Sequence, residues 1–163
     1  MNERENFHGN FNRGQKNPAQ HNENRNKYPD ITPKDYFKPN SDIVKDDLFS
    51  VTADKITESF SKEGGITGSQ IRKFYDEVLR LRLKLDSAND KEKKFVEILP
   101  YLKMLIPKVV YFKNRKNVNV DESFESFIKM NIENITKVKE FEVFCDLFEA
   151  VIAYTKKYPN LKK

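Results

Sequence analysis

The stretch TGSQIRKFYDEVLRLRLKLD, residues 67–86, has the pattern of one amphipathic helix and decides the fold class. The hydroxyl of Thr67 can accept a hydrogen bond from the first helical turn, and Gln70 can reach back to complete a capping box. Apolar residues then recur every three or four positions, which is the period of a helix with one buried face. That face is predicted to consist of Ile71, Phe74, Tyr75, Val78, Leu81 and Leu85.

Helical patterns on both sides extend this prediction to the whole domain. From residue 42 onward, apolar spacing predicts one or two short helices that stop at the glycine pair 64–65. The last helix is predicted at about 138–158, with Cys145 as apolar filler on its buried side. Five glycines and seven prolines are too few for an all-β domain built from tight turns. We therefore predict an all-α fold, a compact bundle of five to six helices in residues 42–163.

Two prolines interrupt the apolar pattern of residues 90–116. Each removes a helical hydrogen bond and clashes with the preceding turn, so this segment is predicted to form two helices or one kinked helix. Pro100 is expected at a first helical position, where the missing N–H costs nothing. After a polar break, Asp121 is expected to cap the next helix. The apolar positions of that helix are Phe124, Phe127, Ile128, Ile132 and Ile135.

Residues 1–41 have a different composition, rich in Asn, Lys, Arg, Pro and Gln, with apolar residues spaced too thinly to bury a core. We predict a disordered polar tail here, followed by the helical domain in 42–163. Seven Lys and Arg face five Asp and Glu in this tail, so its charges nearly balance. The tail is therefore a poor candidate for a basic nucleic-acid-binding arm.

The positive charge of the chain is concentrated in residues 66–117. Thirteen Lys and Arg face six Asp and Glu there, a net charge of +7, whereas the whole chain carries +5. A concentrated positive field attracts polyanions at long range, and nucleic acid is the commonest such partner. A lysine-rich surface that only keeps the protein soluble is the alternative.

Two helix faces collect many of these cations. On the first, four cations share the side opposite the apolar face of residues 67–86. On the second, the spacing i, i+3, i+7 places two cations around an aromatic ring, away from the apolar side. The first set is Arg72, Lys73, Arg80 and Lys84, and the second is Lys108, Tyr111 and Arg115.

Cations around an exposed aromatic ring suit phosphate contacts combined with stacking on nucleotides. Taken singly, each residue has a structural alternative: Arg72 could pair with Asp76, and Tyr111 could seal a helix contact. As two basic faces in one window they favour nucleic-acid binding. No groove-reading motif, zinc finger or RNA-binding sheet signature is present, so binding is predicted to be to the backbone.

Other chemistries find little support in the sequence. There is no glycine-rich phosphate loop, and the only histidines, His8 and His21, lie in the polar tail. We therefore predict no enzyme activity, no cofactor, no metal site and no small-molecule substrate. Without a secretory core or an apolar run of bilayer length, a cytoplasmic protein with no membrane partner is the simplest reading. The last helix carries an acidic stripe that comprises Glu142, Asp146 and Glu149. We expect this stripe to be a solvated face, and the alternative is a docking surface for a basic protein.

Three segments resemble the landmark segments of the small-subunit family of Csm complexes, the interference complexes of type III-A CRISPR systems. They are ITGSQIRKF at 66–74, the run from Tyr101 through Pro107 to Arg115, and FEAVIAY at 148–154. The resemblance covers roughly residues 52–158. It implies a helical bundle present in more than one copy, stacked along a filament built by another subunit. In such complexes the small subunit lines the channel holding guide RNA and target RNA and cuts neither.

The resemblance also assigns roles by position. Arg72 and Arg115 match the motif arginines and are the strongest candidates for contacts to the RNA backbone. Tyr111 and Glu149 match as well, and their helical context favours packing for the tyrosine and pairing with a cation for the glutamate. Together with the charge analysis, the predicted RNA-binding residues are Arg72, Lys73, Arg80, Lys84, Lys103, Lys108 and Arg115.

The leading hypothesis is thus a non-catalytic RNA-binding subunit of a type III-A effector complex that supports antiviral defence. Its expected partners are guide RNA, target RNA, the other subunits and further copies of itself. An architectural helical adaptor, docking protein subunits without touching nucleic acid, is the alternative. A stand-alone DNA-binding regulator is a third interpretation, and it would need a recognition helix and preferably a two-fold dimer.

Overall fold

Six α-helices account for most of the chain that the computed structural model describes, which comprises residues 31–61, 65–114 and 122–162. A π-helical turn, Leu48–Thr52, leads directly into the first helix, and two short 3-10 turns follow the last. Within these described ranges there is no β-strand, and the predicted all-α fold is confirmed. The helices are α1 Ala53–Phe60, α2 Gly68–Asp86, α3 Lys91–Lys103, α4 Leu105–Lys113, α5 Glu122–Asn134 and α6 Val138–Tyr154.

The start of α2 has the capping box that the sequence predicts. The Gln70 backbone N–H donates to Thr67 Oγ1 at 3.3 Å, and the Thr67 N–H donates to Gln70 Oε1 at 2.9 Å. All six predicted apolar positions of this helix are buried. Gly68 brings the first turn close to the C-terminal segment: a Cβ at this position would lie 2.6 Å from the Leu161 carbonyl oxygen.

The proline-containing segment forms two helices separated by Met104 alone. Pro107 explains the break. In a continuous helix its ring would meet the Lys103 carbonyl and could donate no hydrogen bond to it, so α3 ends at Lys103. In α4, Pro107 instead occupies the first turn, where backbone N–H groups need no helical partner.

Pro100 is not at the first position of a helix, and that expectation is wrong. It lies inside α3, ten residues after Asp90 caps the helix. The Asp90 carboxylate accepts a hydrogen bond from the Lys93 N–H at 3.0 Å, which fixes the start of the helix at Lys91. The helix therefore lacks one interior hydrogen bond at Pro100, and the Asp90 cap stabilises its start.

Phenylalanine rings form a cluster in the core, where α6 packs against α1 and α2 and where its rings meet those of α5. Phe60 of α1 meets Phe124 of α5 edge-on at a centroid distance of 5.4 Å, and Phe127 meets Phe148 at 5.3 Å. Such pairs contribute about 0.5–1.5 kcal/mol beyond their buried area. Cys145 is buried beside this cluster, and burial raises the pKa of its thiol to about 12, as expected for a filler of the core.

Part of the segment that the sequence analysis assigns to the tail contributes to this core. Tyr36 is fully buried, and its hydroxyl donates a hydrogen bond to the side-chain oxygen of buried Asn131. The Asn131 amide in turn donates to the Phe127 carbonyl oxygen at 2.7 Å. Residues 31–41 are thus tied to α5, whereas the tail prediction for residues 1–30 lies outside the described residues.

Candidate nucleic-acid interface

A row of cations runs along the exposed face of α2. Lys73, Arg80 and Lys84 follow the spacing i, i+7, i+11, and all three are exposed to solvent. In the described part of the chain, no carboxylate lies within ion-pair distance of any of them. We call these three residues the α2 row. Its side chains project to solvent because the buried face of the helix occupies the opposite side.

Arg72 lies on the same helix but in a different setting. Its guanidinium is 3.6 Å from the Asp76 carboxylate and 5.8 Å from the centre of the Tyr75 ring. The alternative of pairing with Asp76 is therefore realised, although a long contact between exposed groups contributes little stability. Arg72 lines a cleft of about 400 Å³ at the start of α2, together with Ser69, Lys156 and Lys162.

A groove of about 290 Å³ separates α2 from the α3 and α4 pair. We call it the α2–α4 groove. It brings together Arg80, Lys84 and Lys108, three of the residues predicted from the sequence to bind RNA. Its other lining residues are Glu77, Leu81, Tyr101, Met104 and Leu105.

Lys108 does not present a free charge in this groove. Its ammonium forms an ion pair with the Glu77 carboxylate across the groove. Lys103 is exposed and has no ion-pair partner among residues 31–61, 65–114 and 122–162, but it does not line the groove. Arg115, which the resemblance ranks highly, lies outside the described residues. The structure thus brings together Arg80, Lys84 and Lys108, but not all the residues predicted to bind RNA.

The roles expected for Tyr111 and Glu149 are wrong for this structure. Tyr111 is 70% exposed, so its ring does not pack in a helix contact. Glu149 is exposed, and no cation in the described ranges forms an ion pair with it. Its neighbour is Tyr75, whose pKa is raised first by burial and then by the Glu149 carboxylate.

Several other cations of the basic window hold the helices together. Arg82 Nε lies 2.9 Å from the Asp86 carboxylate, and Arg82 Nη1 lies 3.5 Å from that of Asp146 on α6. Lys91 Nζ lies 2.7 Å from the Glu142 carboxylate, also on α6. The expectation of a solvated acidic face is therefore wrong for Glu142, which is partly buried and pairs with Lys91 of α3. Asp146 remains exposed to solvent, as expected, although it also contacts Arg82 of α2.

This ion-pair network shifts pKa values in the direction its geometry requires. Burial raises the pKa of the Asp86 carboxyl, but hydrogen bonds from Arg82 and Lys91 outweigh it and hold the value below the usual range. Burial also tends to lower the pKa of Arg82, and its acidic neighbours reverse this. The charged groups of this network therefore pair with one another within the protein.

A family model described as Csm2 Type III-A matches residues 44–160, a range that includes the α2 row and the groove. The chain belongs to the Csm2 type III-A family. Csm2 proteins are structural small subunits of the multi-subunit Csm effector complexes of type III-A CRISPR systems. The resemblance drawn from the sequence is thereby confirmed. No curated protein and no solved structure matches the chain.

Two groove residues of this Csm2 family member were missed by the charge analysis of the sequence. Tyr101 is 68% exposed and Met104 is 52% exposed, and both line the α2–α4 groove. Tyr101 and Lys108 have the spacing i, i+7, a signal that could have placed them on one face. The break at Met104 hides that relation, because a helical projection across it is unreliable.

Residues 31–61, 65–114 and 122–162 of this Csm2 family member contain neither a candidate metal site nor a candidate membrane-spanning helix. There, no three His, Cys, Asp or Glu residues lie close enough together to hold a metal ion. A bilayer-spanning helix is likewise missing, since none of these helices combines the necessary length and apolarity.

Proposed function

We propose that this Csm2 family member is a non-catalytic, cytoplasmic subunit that binds the backbone of guide and target RNA and so supports antiviral defence. Within the complex it would assemble with the other subunits and with further copies of itself. The observation that supports RNA binding is the α2 row, three exposed cations without a carboxylate partner in the described ranges. A polyanion can reach this row without breaking an ion pair.

The spacing of the row suits an extended polyanion. Lys73 and Lys84 are eleven residues apart, which corresponds to about 16 Å along the helix axis. Arg80 and Lys84 are about 6 Å apart along that axis, less than the Debye length of about 8 Å at physiological ionic strength. Their fields therefore add at the distance of a bound phosphate.

The strength of such binding should depend steeply on salt. Neutralising each phosphate of a single strand contributes about −0.7 to the slope of log K against log salt. Three contacts give a slope of about −2, or roughly a 20-fold loss of affinity between 50 and 200 mM salt. The slope measured by fluorescence anisotropy with labelled RNA thus reports how many cations act.

The decisive experiment replaces all three residues of the α2 row by alanine in the full chain. We expect the affinity for RNA at 50 mM salt to fall about 20-fold or more and the salt slope to flatten by about 2. The control replaces Lys34, Lys55 and Lys139, which are exposed and lie on other elements. It removes the same charge, so an equal loss in both variants, or no RNA binding by the wild type, would refute the proposal.

The architectural adaptor is the second candidate function, and exposed apolar side chains on α3 and α4 favour it. Val96 is 71% exposed and Tyr111 is 70% exposed. Binding of a protein partner would remove these side chains from water. If the adaptor function is the correct one, the protein will not shift single-stranded RNA in a gel even at low ionic strength.

A further inference from the structure

We propose that the α2–α4 groove accepts one unpaired RNA base, while the α2 row holds the phosphates next to it. This inference rests on the proposed RNA binding and adds recognition of a base to the contacts with the backbone. The groove has a volume of about 290 Å³ and an apolar floor made by Leu81 and Leu105, which are 8% and 1% exposed. The floor and volume provide a recess rather than a flat surface.

The walls of the groove supply the chemistry that bases prefer. Tyr101 leaves most of its ring in water, and Met104 leaves about half of its side chain exposed. An aromatic ring stacks on any base because every base has a π face. A thioether makes favourable contacts with aromatic rings as well. A base lying between these two side chains would cover apolar surface that the protein alone leaves in contact with water.

The charges around the groove fix the orientation of the nucleotide. Arg80 and Lys84 line its α2 side, and in the described ranges neither forms an ion pair. On α4, Lys108 is paired with Glu77, which also neutralises the one acidic side chain among the lining residues. The phosphates of a bound nucleotide should therefore lie along α2, with the base directed towards Tyr101.

This arrangement predicts a preference that charge alone does not produce. Bases inside a continuous RNA duplex are stacked and paired, and their faces cannot reach Tyr101. A bulged or single-stranded base can leave the stack and enter the groove. The α2 row would contact the backbone in both cases, so the preference isolates the contribution of the groove.

The test measures binding of the full chain to two RNA duplexes that differ by one bulged adenosine. We expect the bulged duplex to bind about tenfold more tightly than the continuous one, the scale of one base stacked on an aromatic ring. Y101A should abolish this difference and leave the affinity for the continuous duplex unchanged. Y111A is the matched control, because Tyr111 is equally exposed but lies outside the groove.

A second readout follows the base itself. With 2-aminopurine at the bulge, stacking on Tyr101 should quench its fluorescence on binding, and Y101A should remove the quenching while the melting temperature stays unchanged. Equal affinity for both duplexes, or equal effects of Y101A and Y111A, would overturn the groove inference and leave the proposed function standing. Failure of the wild type to bind either duplex would overturn both.

Discussion

The hydrogen bond between Tyr36 and Asn131 offers a sharp test of how the chain before α1 is held. Both residues are fully buried. Among residues 31–52, the described part of the chain before α1, only Pro33 and Leu48 are also buried, and neither carries a polar side-chain group. Y36F removes the hydroxyl and keeps the ring. The side-chain oxygen of Asn131 then loses its donor in a site that the core encloses.

The expected cost follows from that loss. Leaving a buried acceptor without its hydrogen bond costs about 1–3 kcal/mol, and we expect about 2 kcal/mol for Y36F. For a chain of this size, 1 kcal/mol corresponds to about 4 °C in melting temperature, so the Tm should fall by about 8 °C. Thermal unfolding of the full chain followed by circular dichroism at 222 nm measures this shift directly.

A double-mutant cycle separates the hydrogen bond from other effects. N131A alone should also destabilise, since it removes the bond and the packing of the amide. The double variant Y36F/N131A should lose less than the sum of the two single variants by about 1 kcal/mol or more, because no polar group is then left unpaired. Y101F, which removes an exposed hydroxyl, is the control. Additive losses, or a Tm of Y36F equal to that of wild type, would refute the reasoning.

Three further predictions concern single side chains. Cys145, with a pKa of about 12 and little exposure, should react with a thiol reagent at pH 8 roughly 1000-fold more slowly than an unfolded cysteine, and fast labelling of the native protein would contradict its burial. G68A should destabilise by about 1–3 kcal/mol, because the new methyl group would lie 2.6 Å from the Leu161 carbonyl oxygen; an unchanged urea midpoint would speak against that contact. For Asp86, whose folded pKa is lowered from 3.8, the stabilisation is present above pH 3.8 and is lost as the pH falls through the folded value. D86N should therefore reduce stability at neutral pH and flatten the loss seen below about pH 4, and a parallel acid profile would exclude this role.

The sequence predicts the fold where the information is local. The capping box of Thr67 and Gln70 and the apolar period of α2 involve residues within one or two turns of each other, so their outcome does not depend on distant parts of the chain. The start of α3 was harder to predict. It depends on whether the Asp90 cap or Pro100 sets the start of α3, and the cap prevails because one missing N–H inside a helix can be tolerated.

The burial of Tyr36 could not be read from its neighbours. Around it the chain is polar, and the residue that makes burial favourable, Asn131, lies 95 positions later. The same limit applies to the groove, because the ion pair of Glu77 and Lys108 joins residues 31 positions apart. Exposure of the α2 row is a local property and could be predicted, whereas its assembly with Tyr101 depends on how α2 packs against α3 and α4.

The cations on the two sides of α2 have different roles: one side forms ion pairs within the protein, and the other is available to bind RNA. Arg82 projects towards α6 and is held by Asp86 and Asp146, whereas Arg80 and Lys84 project towards the groove on the other side of the helix. The Arg82 side chain is only 22% exposed, so salt should screen its pairs less than it screens the α2 row. A rise in salt should accordingly release RNA while the melting temperature stays nearly constant. Because one helix carries both kinds of cation, the net charge of residues 66–117 overstates the charge available to RNA, and the number of cations in the α2 row sets the salt slope.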